Sequence, residues 1–223
     1  MLTNLKDLLR EVLIRRCCFA WNLWQRLKDS HELSTWERAG KPAPPPHIVK
    51  QHILSTYASA FSTDVLIETG TYLGQMVYAM RNRFRTILSI ELGGDLARRA
   101  RHRFRDDAHI RILQGDSGEV LPELLNNIST QSLFWLDGHY SGGFTAKGKT
   151  GTPVMREMRT ILDHRIKNHV ILIDDARCFD GTQDYPIVDE LRELIAAHRP
   201  GYDFSISNDV IRIHPRKVVR AEF

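Results

Sequence analysis

Val65-Leu66-Ile67-Glu68-Thr69-Gly70-Thr71-Tyr72-Leu73-Gly74 is the stretch that decides how this chain is read. Three apolar residues give way to an acid and then to a glycine-bearing turn. A run that is apolar on both faces reads as a strand covered on both faces. A glycine turn between such a strand and a helix lets a ligand approach the backbone closely and offers N–H groups to it. The full dinucleotide fingerprint is absent, because Tyr72 stands where a middle glycine would be.

Working outward, the pattern repeats. Further short apolar runs are Ile87-Leu88-Ser89-Ile90, Ile110-Arg111-Ile112-Leu113, Leu133-Phe134-Trp135-Leu136 and Val170-Ile171-Leu172-Ile173. Between and after them lie amphipathic stretches that predict helices over about 74–84, 93–105, 118–127, 153–164 and 187–198. Strands alternating with helices predict an α/β fold with a parallel sheet covered on both sides. The end differs. Phe204-Ser205-Ile206-Ser207 and Val210-Ile211-Arg212-Ile213 flank Asn208-Asp209, which predicts a hairpin and an antiparallel closure of the sheet. The expected fold is therefore Rossmann-like: a doubly wound, mostly parallel seven-stranded sheet with a C-terminal antiparallel hairpin.

Ligands of open α/β sheets bind beyond the carboxyl ends of the strands. The acids at the ends of the apolar runs are Glu68, Glu91, Asp116 (three residues past its run), Asp137, and Asp174 with Asp175. Every parallel strand ends in an acid, which a solvated surface would not supply by chance. Glu91, about twenty residues beyond the first turn, is placed to accept the hydroxyls of a ribose. Gly115-Asp116-Ser117 after the third strand suits an adenine edge.

These residues resemble the class I S-adenosylmethionine-dependent methyltransferase superfamily over about residues 60–215. The resemblance rests on strand-Glu-Thr-Gly-x-x-x-Gly, an acid ending the second strand and Gly-Asp-Ser after the third. Within the superfamily the chain looks most like metal-dependent sugar O-methyltransferases of the macrocin type, which share the start without a middle glycine, an Asp-Gly-x element after the fourth strand and paired acids after the fifth. The resemblance implies that Glu68, Gly70 and Gly74, with Thr69, Thr71 and Tyr72 in the same turn, hold the methionine end of S-adenosyl-L-methionine. It implies Glu91 for the ribose, Asp116 and Ser117 for the adenine, and Asp137 beside the cofactor. The reaction expected is methyl transfer to a hydroxyl of a small molecule, a sugar among the candidates. Metal-dependent hydroxylation or hydrolysis on the same fold, and a non-catalytic interaction module, are the alternatives.

Asp137, Asp174 and Asp175 end neighbouring strands. Such strands lie about 4.8 Å apart, so their carboxylates can share one cation. Carboxylates without cysteine favour a hard divalent ion such as Mg²⁺. Asp174 and Asp175 both reach it only if the strand ends there. The competing reading has one of the pair capping a turn and the other meeting solvent or Arg177. His139, two residues past Asp137, is the expected proton acceptor for the hydroxyl, with Asp137 beside it in catalysis; a structural histidine bonded to a carbonyl is the alternative. Four glycines within Ser141–Gly151 predict a loop over the substrate, with Lys147 and Lys149 available to an anionic group.

Residues 1–40 precede this domain as a helical extension, and 41–46 are proline-rich, leaving 47–223 as the methyltransferase-like domain. Leu2, Leu5, Leu8, Leu9, Val12 and Leu13 form one apolar face among charges, and Trp21 and Trp24 follow. That face suits packing on the domain or equally on a second copy, both ahead of a membrane surface, since most amphipathic helices serve packing. Residues 47–61 read as a helix whose His47 and Lys50 can reach the cofactor mouth. The 223 residues, 42% apolar and 26% charged, exclude a wholly disordered or fibrous chain. The net charge of +4 permits an anionic partner without requiring one. The arginines at 98, 99, 101, 103 and 105 are accompanied by Asp95, Asp106 and Asp107, so a solvated helix face outweighs a nucleic-acid surface. Three cysteines in no metal-binding or disulfide spacing, with no signal-peptide core, predict a reducing, cytoplasmic setting.

Overall fold

The computed structural model describes residues 18–138 and 152–219, with side chains described from residue 27 onward. The apolar face over Leu2–Leu13, His139 and the glycine-rich stretch to Gly151 lie outside the described residues. Helix α1 (Cys18–Arg38) ends where Gly40 and Lys41 take left-handed backbone, φ 82° and 58°. The Trp36 indole N–H donates to the Pro42 carbonyl at 2.7 Å, and its ring is buried, so the proline segment is tied back onto the helix it follows. Helix α2 (His47–Ala60) then buries Val49, Ile53, Leu54, Tyr57 and Ala58, the three- and four-residue spacing of one apolar face.

From there the alternation read in the sequence is realised as β1 (Val65–Thr69), α3 (Gln75–Met80), β2 (Thr86–Glu91), α4 (Gly94–Arg103), β3 (Ile110–Gln114), α5 (Ser117–Leu125), β4 (Leu133–Leu136), α6 (Val154–Asp163), β5 (Val170–Ile173), α7 (Val188–His198), β6 (Tyr202–Ser207) and β7 (Val210–Pro215). Helix α3 stops four residues short of the expected end. The Arg83 and Phe84 amides both return to the Met80 carbonyl, at 2.9 and 3.3 Å, in a turn that drops Phe84 into the core.

The seven strands run in the order β3-β2-β1-β4-β5-β7-β6. All pairings are parallel except those of β7, which is antiparallel to both β5 and β6. Asn208 and Asp209 turn the hairpin with φ 50° and 60°, the twist that suits a two-residue connection. The order reverses between β1 and β4, and that is where a crevice opens in a doubly wound sheet.

Alternate side chains of each strand feed two cores. Leu66, Leu133, Trp135, Val170 and Leu172 pack with Trp36, α2 and α3 on one face. Ile67, Phe134, Leu136, Ile171 and Ile173 pack with α5, α6 and α7 on the other. Among the described residues no helix is long and apolar enough to cross a membrane.

Candidate functional site

The site forms where the strands end. β1 and β4 approach so closely there that only glycine fits: a Cβ on Gly70 would stand 2.3 Å from the Asp137 carbonyl oxygen, and Gly70 has φ +86°. The ladder continues past the strands, with the Asp137 amide donating to the Thr69 carbonyl and the Asp174 amide to the Leu136 carbonyl, both at 3.0 Å. These bonds bring Gly70, Asp137 and Asp174 to one edge.

Glu91 is held on both oxygens. Its Oε2 accepts from the Tyr72 amide at 2.7 Å and its Oε1 from the Gly93 amide at 2.8 Å. A carboxylate so fixed keeps further lone pairs for two hydroxyls. Tyr72 takes φ 47°, a backbone that disfavours a side chain, and leaves its ring half exposed at the mouth of the crevice. Gly74, φ 68°, starts α3, and a Cβ there would meet the Phe104 ring at 2.8 Å.

Glu68 is fully buried and accepts from the Ser89 hydroxyl, which lies 2.5 Å from the Thr71 hydroxyl. Burial, with the charges of Asp137 and Glu91 nearby, pushes its carboxyl up to about 8 despite the Ser89 bond. Thr71 therefore spends its side chain under the turn. Thr69 faces the opposite way, toward α6.

Asp116 caps α5 by accepting from the Gly118 amide at 2.9 Å, and both its oxygens meet the Arg156 guanidinium at 3.1 and 3.0 Å. Next to it, Glu157 is 1% exposed, lies beside the Ser117 and Thr69 hydroxyls, and has no hydrogen-bond partner on Oε1 among the described residues. Burial lifts this carboxyl to about 7. Glu157, Asp137, Thr152, Asp174 and Tyr185 share the lining of a small pocket between the ends of β4 and β5. Neither Arg156 nor Glu157 stood out in the sequence. A signal was present for Glu157: Val154, Met158, Ile161 and Leu162 make the apolar stripe of α6, and Glu157 sits on it.

The structure lends no support to the metal set expected from the sequence. Among the described residues no group of three or more His, Cys, Asp or Glu side chains is arranged to hold an ion. Asp174 is ion-paired with Lys50 of α2, whose ammonium also lies 3.9 Å from Asp175. Asp175 takes left-handed backbone, φ 55°, and its Oδ1 meets Arg177 at 2.8 Å, while Arg177 also pairs with Asp209. Asp174 and Asp175 thus already meet the chain's own cations, which disfavours a divalent ion on these two carboxylates. Burial, and then the Asp137 charge, raise the Asp174 carboxyl above the ordinary carboxylate range, and Lys50 opposes the rise.

No protein-family model matches the chain, and no curated protein matches it in sequence. Solved structures do match its fold. The O-methyltransferase TomG from Streptomyces achromogenes, in complex with SAM, is similar over 83% of this chain and 87% of its own, with TM-score 0.56 and 14% identity. An O-methyltransferase from Bacillus cereus, in complex with SAH, is similar over 84% of this chain and 90% of its own, with TM-score 0.55 and 16% identity. A putative caffeoyl-CoA O-methyltransferase from Staphylococcus aureus is similar over 89% of this chain and 98% of its own, with TM-score 0.54 and 10% identity. The chain has the Rossmann-like fold of the class I methyltransferases. At these identities the likeness carries the fold alone.

Proposed function

We propose that this chain is an S-adenosylmethionine-dependent methyltransferase acting on a hydroxyl of a small molecule, with sugars among the acceptor class. The observation that carries the reading is Glu91, a buried carboxylate oriented by the Tyr72 and Gly93 amides directly across from the Gly70 turn. A nucleoside needs such a group for its ribose, and an ordinary strand-end acid has no reason to be fixed on both oxygens. Some neighbours of like fold, TomG and the Bacillus cereus enzyme among them, are O-methyltransferases by name, which supports oxygen as the atom methylated.

When bound, the cofactor supplies an electrophilic methyl group. The chain's share is placement and charge. Glu91 takes the ribose hydroxyls. Glu68, in the buried floor, suits the amino group of the methionine end, whose positive charge would draw the carboxyl toward its ionised form. Asp116, oriented by Arg156, and Ser117 suit the adenine. Tyr72 stands at the mouth, where its ring can cover the ligand. His139, the residue after Gly138, is the proposed acceptor of the hydroxyl proton, because a neutral imidazole takes a proton near pH 7. Asp137 lies beside the reacting hydroxyl. The divalent ion expected from the sequence has no part in this reading, since Lys50 and Arg177 already meet Asp174 and Asp175.

Calorimetric titration with S-adenosylhomocysteine tests the proposal. The wild type is expected to bind one equivalent, and Glu91→Ala to bind at least tenfold more weakly. Absence of binding to the wild type would remove the reading.

A further inference from the structure

Lysine ammonium groups ordinarily stay in water, because withdrawing the charge is costly unless it is paired. The Lys50 side chain is only 15% exposed, and its ammonium sits on Asp174, which is 2% exposed, with Asp175 Oδ1 at 3.9 Å. The pairing spans 124 residues of sequence and links the first turn of α2 to the end of β5. It is not an accident of a long side chain. Val49 and Ile53 are fully buried on either side of Lys50 and fix this turn of α2 against the sheet. The alternation that sends Leu66, Trp135 and Leu172 to the α2 face also sends Glu68, Asp137 and Asp174 there. These three carboxylates therefore gather on the side from which α2 delivers a positive charge.

We infer that the Lys50 ammonium is the resident cation of this site and occupies the place between strand-end carboxylates that a divalent ion would otherwise take. A second cation there would be repelled by Lys50 and would have to compete for Asp174. The inference about the cation's place does not rest on methyl transfer. What the cation does rests on that reading. An ammonium has three N–H donors. One is used on Asp174, and the others can meet an acceptor oxygen, orienting it and stabilising negative charge as its proton leaves. It cannot chelate two oxygens as a divalent ion does. The site is thereby fitted to a single hydroxyl in preference to a pair of adjacent ones held together on a metal.

The test uses Mn²⁺ as the probe, with binding followed by the loss of the free-ion paramagnetic resonance signal of the full chain. Wild type is expected to bind Mn²⁺ no better than Asp174→Asn, because Asp174 is already engaged. Lys50→Ala is expected to bind at least tenfold more tightly than wild type, and the double variant Lys50→Ala/Asp174→Asn to lose the gain. Lys50→Arg restores a cation and is expected to behave as wild type. The inference is overturned if wild type holds Mn²⁺ in a manner that Asp174→Asn abolishes, or if Lys50→Ala takes up no more than the double variant. Should Lys50→Ala fail to fold, as seen by circular dichroism, the comparison of wild type, Lys50→Arg and Asp174→Asn still decides. A chain that ignores S-adenosylhomocysteine yet shows this Mn²⁺ pattern would lose the methyl-transfer reading and keep Lys50 as its cation.

Discussion

Gly70 and the carbonyl of Asp137 are in contact across the reversal of the sheet, with 2.3 Å left for any Cβ that position 70 might carry. The obstacle is backbone, held in turn by the Asp137 amide on the Thr69 carbonyl, so it cannot swing aside as a flexible side chain would. Position 70 also needs left-handed backbone. Gly70→Ala should therefore force β1 and β4 apart at the site. The expected result is a loss of about 2 kcal/mol or more in urea unfolding, beyond what left-handed backbone alone costs an alanine. Binding of S-adenosylhomocysteine should fall with it.

Glu91 accepts from two part-buried amides that would otherwise lose this acceptor. Glu91→Gln keeps one good acceptor and Glu91→Ala keeps none. A fully buried unpaired donor costs roughly 1–3 kcal/mol, and a part-buried one less. Glu91→Ala should consequently lower both stability and cofactor affinity, while Glu91→Gln should lower affinity with a smaller stability change. Parallel calorimetry and urea melts separate the two effects. Equal affinity for all three proteins would detach Glu91 from the ligand.

Tyr72 makes the opposite combination. Its φ of 47° is costly for a tyrosine and free for a glycine, at about 1–2 kcal/mol for the left-handed region. Its ring is 48% exposed, so little packing is lost on removal. Tyr72→Gly is expected to leave stability unchanged or raise it by up to about 1 kcal/mol, after glycine's larger unfolded-state entropy is subtracted. If the ring covers the bound ligand, the same variant should bind S-adenosylhomocysteine several-fold more weakly. A strained residue retained where glycine would be easier points to a use for its side chain.

The fold was legible because its signals are local. Each apolar run is bounded by polar residues and became a strand at the same place, from Val65 to Ile173, and the Asn208-Asp209 pair announced its turn. The ends of α3 were not legible, since the turn after Met80 answers to the burial of Phe84 and not to any breaker in the sequence. The site was legible as a row of acids, because strand ends can be counted. What each acid meets was not, because partners come from far away in the chain. Arg156 reaches Asp116 across 40 residues, and Lys50 reaches Asp174 across 124. For Asp175 the competing reading already named Arg177; the left-handed backbone after β5 that makes this contact is what the sequence does not reveal. Acid spacing suggested a metal; Lys50, brought in by tertiary packing, is what meets Asp174 in the fold.

Glu68 ties the site to the pH dependence of folding. Its carboxyl titrates near 4.5 when exposed and is pushed up to about 8 in the fold, mainly by burial. Below pH 4.5 it is protonated in both states and contributes no pH dependence. Between 4.5 and 8 the unfolded chain loses this proton while the folded chain keeps it. The unfolded state then binds fewer protons, so stability falls with rising pH across that window and levels off above it. The loss is on the order of a few kcal/mol. Glu68→Gln stays neutral and can still accept from Ser89. Measured against wild type in urea melts at pH 5, 7 and 9, its relative stability should climb with pH, the variant overtaking the parent at the alkaline end. Glu157, raised to about 7 by burial, adds a slope of the same sign, which is common to both proteins and cancels in the comparison. A difference between Glu68→Gln and wild type that stays level from pH 5 to 9 would mean that Glu68 is ionised in the folded chain, and a positively charged group would then have to stand beside it before any ligand binds.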